Sequence, residues 1–173
     1  MKKQLLFISA LVLGSLGWGQ QKTIKVACVG NSITYGYGIE NREQNSYPSV
    51  LQRLLGNGYK VGNFGHSGAT LLSKGHRPYI QQEEYQKALA FAGDIVVIHL
   101  GINDTDPRNW PNHRNDFVKD YLTLISSFKK ANPKARIVIA RMSPLSHRHP
   151  RFESGTRDWH AEIQQAIALV AQQ

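Results

Sequence analysis

Thr23-Ile24-Lys25-Val26-Ala27-Cys28-Val29-Gly30-Asn31-Ser32-Ile33-Thr34 is the stretch that decides how this chain folds. Its first seven residues are mostly apolar and β-branched and stop at a glycine, the pattern of a buried parallel strand. A serine set directly after such a strand, on a tight turn that Gly30 permits, lies at the carboxyl edge of a sheet. Open α/β sheets bind their ligands at that edge. The Ser32 hydroxyl is therefore a candidate nucleophile.

Downstream, the pattern predicts a helix from about Tyr47 to Leu55, ended by Gly56-Asn57-Gly58. Tyr59 to Phe64 reads as a second strand, and a loop rich in glycine and serine runs from Gly65 to Gly75. Glu83 to Phe91 has helical spacing, and Asp94 to Leu100 reads as a strand. Asp116 to Asn132 places Phe117, Tyr121, Leu124, Ile125 and Phe128 on one side of a helix stopped by Pro133. Ala135 to Ala140 is a further strand and Trp159 to Val170 a further helix. Near-continuous apolar strands alternating with helices imply a parallel sheet covered on both faces. The expected architecture is a three-layer α/β/α sandwich of four strands, without the fifth strand such sheets often have.

Upstream, Lys2 and Lys3 precede the apolar run Leu5 to Leu16, and Gly17-Trp18-Gly19 puts small residues before Gln20. This is the pattern of a secretory signal peptide over residues 1–19, with the mature domain at 20–173 in the periplasm or outside the cell. The run is shorter than the roughly 20 residues of a spanning helix, so no stable membrane span is expected after cleavage. The net charge is +9, of which Lys2 and Lys3 contribute two. A basic domain suits nucleic acid, acidic lipid or an acidic small substrate. No nucleic-acid motif is present, and no nucleic-acid partner is expected. Arg141, His147, Arg148, His149 and Arg151 share one loop, either solvated or forming a cleft wall that favours anions. Cys28 lies in the first strand, where a thiol acts as small apolar filler.

Three strand-end loops concentrate small and polar residues: Gly30 to Thr34, Asn63 to Thr70, and Gly101-Ile102-Asn103-Asp104. In a parallel sheet they converge on one edge. Acyl transfer needs a nucleophile and donors aimed at the developing oxyanion. Ser32 offers the hydroxyl, a glycine of the second loop an unobstructed backbone N–H, and Asn103 a neutral amide donor.

On these three blocks the chain resembles the GDSL-like, or SGNH, hydrolases. Their sheet is parallel and flavodoxin-like. Gly30-Asn31-Ser32-Ile33-Thr34 matches the nucleophile block, with Asn31 where the family more often has aspartate. Asn63 to Thr70 matches the glycine block and Gly101 to Asp104 the Gly-x-Asn-Asp block. Asn45-Ser46-Tyr47-Pro48 and Gly65 to Leu72 are similar to exported bacterial esterases of the sialate O-acetylesterase type. The resemblance implies Ser32 as nucleophile and an oxyanion held by the N–H groups of Ser32 and Gly68 and the Asn103 side chain. It implies no metal and no cofactor. The implied reaction removes O-acetyl groups from a carbohydrate, sialic acid, through a Ser32 acyl-enzyme; the partner is a small-molecule or glycan ester. The Asn31 exchange should be mild, because the aspartate there orients the loop.

One block departs from the family. The base and its orienting acid come from a late Asp-x-x-His block, and no Asp-x-x-His occurs here; Asp158 and His160 are only two apart. The expectation is a C-terminally truncated domain lacking the last strand, the triad block and the last helix. The competing reading is a degenerate that binds carbohydrate without hydrolysing it. A flavodoxin-like binder fits the first loop but gives no reason for Gly-x-Asn-Asp. His147, His149 and His160 lack the spacing and carboxylate partner of a zinc site. His99 reads as a core histidine within its strand, His66 as a structural or substrate-contact residue. Asp104 and Asp106 either position Asn103 and its loop or form a solvated turn.

Overall fold

The computed structural model describes residues 22–148 and 157–173. β1 (Ile24–Gly30) leads after one residue into a one-turn helix α1 (Ser32–Tyr35), followed by α2 (Arg42–Asn45) and α3 (Tyr47–Leu55). Then come β2 (Tyr59–Gly65), α4 (Glu83–Phe91), β3 (Ile95–His99) and α5 (Trp110–His113). They are followed by α6 (Phe117–Ala131), β4 (Arg136–Ile139) and α7 (Arg157–Ala171). The four strands form one parallel sheet in the order β2-β1-β3-β4. This is the expected α/β architecture with flanking helices.

The register places the candidate loops together. Gly30, the last residue of β1, sits opposite Gly65 of β2 and His99 of β3. Three neighbouring strands thus end level, and their loops leave from one edge. β1 lies between its partners because its side chains suit burial on both faces: Val26 to Val29 are all buried.

Alternation along the strands sets the two faces. Ala27, Val29, Val96 and Ile98 are buried in the main core with residues of α4 and α6. Phe64 meets Phe91 at 5.2 Å between ring centroids, and Tyr85 of α4 meets Phe128 of α6 at 6.1 Å. α6 buries Phe117, Tyr121, Leu124 and Phe128, one apolar stripe at helical spacing. Each such burial contributes about 1.5–3 kcal/mol.

On the opposite face Cys28 lies against Tyr47 of α3, and burial pushes its thiol up to about 11 despite that hydrogen bond. A thiol so held is inert filler. The expectation that both faces are covered needs correction at β4. Val138 is 38% exposed among the described residues, on the face that α3 packs against at β2.

Three one-turn helices, α1, α2 and α5, were absent from the sequence expectation. Each is four residues long, too short to show a periodicity. The expected leader at 1–19 lies outside the described residues, as do His149 and Arg151 of the basic loop. Arg141, His147 and Arg148 are exposed to solvent. Among the described residues no helix is long and apolar enough to cross a membrane.

Candidate active site

Ser32 is the first residue of α1 and is half-buried. In that position its backbone N–H has no acceptor within the helix. The turn is held by Asn31, whose Oδ1 accepts the Ile33 N–H at 3.0 Å. That oxygen is the one an aspartate would also present, so the cap at 31 does not require a carboxylate. The remaining difference is Asn31 Nδ2, buried without a partner among the described residues.

The glycine loop is pressed against this turn. His66 N donates to Gly30 O at 2.9 Å. A Cβ at Gly65 would overlap Tyr35 N and lie 2.6 Å from the Thr34 carbonyl carbon. Both are backbone atoms and cannot step aside. Gly65→Ala should therefore cost about 2–3 kcal/mol, measured by urea unfolding; an unchanged midpoint would mean that α1 is free to retreat from β2.

Gly68 has φ +83°, a left-handed conformation that favours glycine, and Arg77 Nη1 lies 3.0 Å from where its Cβ would be. Its N–H meets no backbone or side-chain acceptor among the described residues. Asn103 sits in the 3₁₀ turn Ile102–Thr105 that follows β3. Its Nδ2 donates to Ala69 O at 2.9 Å, one residue beyond Gly68. An amide nitrogen carries two hydrogens, so a second remains for a ligand. The fold thus gathers all three expected residues: Ser32 through the Gly30–His66 contact, and Gly68 and Asn103 through Ala69.

Asp104 is wholly buried. Its Oδ2 accepts the Leu71 N–H and its Oδ1 the Leu72 N–H, both at 2.9 Å. Burial pushes its carboxyl up to about 7, against the opposing pull of those two donors. Of the two readings for Asp104, the solvated turn is thereby corrected: this carboxyl ties the third loop to the second. Asp106 is also buried and binds Arg108 through Nε and Nη2 at 2.8 and 2.9 Å.

Asn109 escaped the sequence reading. It is fully buried, donates through Nδ2 to Asn103 O at 2.8 Å and accepts the His76 N–H at 3.0 Å. A lone asparagine after Pro107-Arg108 carries no signal that would have singled it out. His66 was noted, but its partner was not: Nδ1 lies 2.8 Å from Glu84 Oε2, eighteen residues away on α4.

Two further histidines are placed by the fold, one of them at the site edge opposite Gly30. His99 ends β3 half-buried, and burial holds its imidazole below the usual range. His160 Nε2 donates to Ser143 O at 3.0 Å, pinning α7 to the segment after β4. A ring whose Nε2 carries a proton engaged in that bond cannot accept one there. α7 is fastened again by Trp110 Nε1, which donates to Glu162 Oε2 at 2.6 Å, and by paired bonds between Gln164 and Met142.

A parallel α/β sheet that presents a serine, a left-handed glycine and an asparagine at one carboxyl edge defines a protein that works at that edge. Residues 28–173 match the model of the GDSL-like Lipase/Acylhydrolase family. The chain belongs to that family. It is similar to an acetylxylan esterase of Xylanibacter ruminicola, 44% identical over 117 residues, which cover 68% of this chain and 24% of that protein. The chain therefore spans about a quarter of the length of that relative. Among solved structures it is similar in fold to the native M. smegmatis aryl esterase, with a TM-score of 0.66 and 19% identity. That match covers 87% of this chain and 80% of the other. A carbohydrate acetylesterase family member from Sinorhizobium meliloti gives a TM-score of 0.62 at 21% identity, covering 87% and 77%.

Proposed function

We propose that this chain carries the nucleophile and oxyanion donors of an exported serine esterase that removes acetyl groups from carbohydrate. The observation that supports this most is the gathering of Ser32, Gly68 and Asn103 at one sheet edge through the Gly30–His66 and Asn103–Ala69 hydrogen bonds. Ser32 Oγ attacks the acetyl carbonyl as its hydroxyl proton passes to a water molecule acting as base; that proton is the one the leaving sugar takes up. The carbonyl π electrons move onto oxygen. The N–H groups of Ser32 and Gly68 and the Asn103 amide receive that oxyanion. Its collapse expels the sugar alkoxide, which takes up a proton, and leaves acetyl-Ser32. Water then attacks the acyl group and releases acetate. Donors already fixed before the charge develops contribute most in such chemistry.

The resemblance read from the sequence points to sialic acid as the sugar, and the Xylanibacter relative carries acetylxylan in its name. Acetate release from acetylated xylan and from 9-O-acetylated sialic acid, measured side by side, decides between them. Turnover of either that depends on Ser32 sustains the esterase. Glycan binding without any turnover would favour the carbohydrate-binding reading instead. Appearance of the protein, shortened by its first 19 residues, in the periplasm or medium would bear out export; retention at full length in the cytoplasm would refute it.

A further inference from the structure

Beside the glycine loop, Tyr35, Tyr37, His66, Ser67, Arg77 and Glu84 line a cleft of about 430 Å³. We propose that this cleft is a subsite for a neutral sugar ring of the glycan that carries the ester, an assignment that rests on the esterase reading above. The cleft adjoins the nucleophile turn. His66 N is bonded to Gly30 O, and Ser67 immediately precedes Gly68.

Its polar groups are held in place before any ligand arrives. Glu84 Oε2 fixes the His66 ring at 2.8 Å, and Arg77 Nη1 donates to Ser67 O at 3.0 Å. These bonds leave His66 Nε2, Glu84 Oε1 and the remaining Arg77 N–H groups for a ligand. Ser67 Oγ is buried and has no partner among the described residues. Donors and acceptors in one small space are what a polyol requires.

Tyr37 supplies the aromatic face. It is 76% exposed, whereas Arg42 already covers the Tyr35 ring at 4.1 Å. The C–H face of a pyranose packs on such a ring while its hydroxyls turn to the polar side chains. Charge bears on the choice of sugar. The cleft holds one guanidinium, Arg77, and one carboxylate, Glu84, and the adjacent Arg42 is paired with Glu43 at 2.6 Å. One guanidinium and one carboxylate balance, so the cleft carries no net charge to favour an acidic sugar over a neutral one. A groove near Ser32, in which Asn45 and Tyr47 are the polar members among Ile33, Ile39, Val50, Leu51 and Leu54, is mostly apolar and suits a polyol less well.

Titration of the full ¹⁵N-labelled chain with xylotetraose, and separately with 3′-sialyllactose, tests the assignment. Xylotetraose should give saturable shifts at residues 35–37, 66–68, 77 and 84. Tyr37→Ala, at an exposed site that leaves the fold intact, should weaken its binding at least fivefold. Glu84→Gln should narrow the preference over 3′-sialyllactose by leaving Arg77 without its balancing carboxylate. Absence of saturable binding, binding indifferent to Tyr37→Ala, or tighter binding of 3′-sialyllactose to the wild-type chain would overturn it. Binding is read without turnover. Sugar binding by a chain that hydrolyses no ester would therefore sink the esterase reading alone, and Ser32-dependent hydrolysis without sugar binding would sink the subsite alone.

Discussion

Ser32→Ala should lower hydrolysis of p-nitrophenyl acetate by about a thousandfold, less than the roughly millionfold loss when a nucleophile is removed from a complete triad, because no Asp-x-x-His block accompanies Ser32 here. The change deletes only the hydroxyl. The Ser32 and Gly68 N–H groups and the Asn103 amide stay where they are, so residual polarisation of the ester survives. Stability should move by less than about 0.5 kcal/mol. Ser32 Oγ takes part in no hydrogen bond among the described residues, and the turn is held by the Asn31 cap and by Gly36 N bonding to Ser32 O. A small activated ester is the right substrate for this test because it needs no sugar contact. An unchanged rate in the variant would remove Ser32 from the chemistry, whatever the glycan.

Asp104→Ala should cost about 2–5 kcal/mol, measured by urea unfolding, and disorder the glycine loop. The substitution strands two buried N–H groups, those of Leu71 and Leu72, and each unpaired donor costs about 1–3 kcal/mol. Asp104→Asn separates charge from bonding. Because burial raises the folded-state carboxyl to about 7, from 3.8, the contribution of its protonated form is complete below 3.8. It is lost as pH climbs through 7. The stability difference between the wild-type chain and Asp104→Asn should accordingly narrow between pH 4 and pH 8. Widening over that range would show that the two donors, not burial, govern the carboxyl.

The parallel sheet was legible because β1, β3 and β4 are short apolar runs and β1, β2 and β3 run into Gly30, Gly65 and Gly101. α4 (Glu83–Phe91) matched its expected limits because Phe91 precedes Ala92, which turns left-handed at φ 48° and ends the helix. The three site loops were legible for a related reason: each follows a strand whose end the sequence marks. What stayed hidden were links between loops. Asp104 to Leu71 spans 33 residues and His66 to Glu84 spans 18, and no local spacing encodes either. The sequence left Asp104 open between a positioning role and a solvated turn, because a polar residue in a turn fits both; the neighbouring loop folds over it. The open face at Val138 was missed, since an apolar residue in a strand reads as buried wherever the strand lies.

The strand order has a bearing on how copies of this molecule treat one another. Among the described residues, placing β1 and β3 inside leaves β2 and β4 as the two borders of the sheet, and a border strand is a template for another chain. Each border carries an exposed cation, Lys60 on one and Arg136 on the other. Two molecules aligning border to border bring like charges together on an already basic chain, and the contact is repelled before hydrogen bonds form. Like charges at Lys60 and Arg136 thus disfavour border-to-border pairing, and salt weakens that repulsion by screening it.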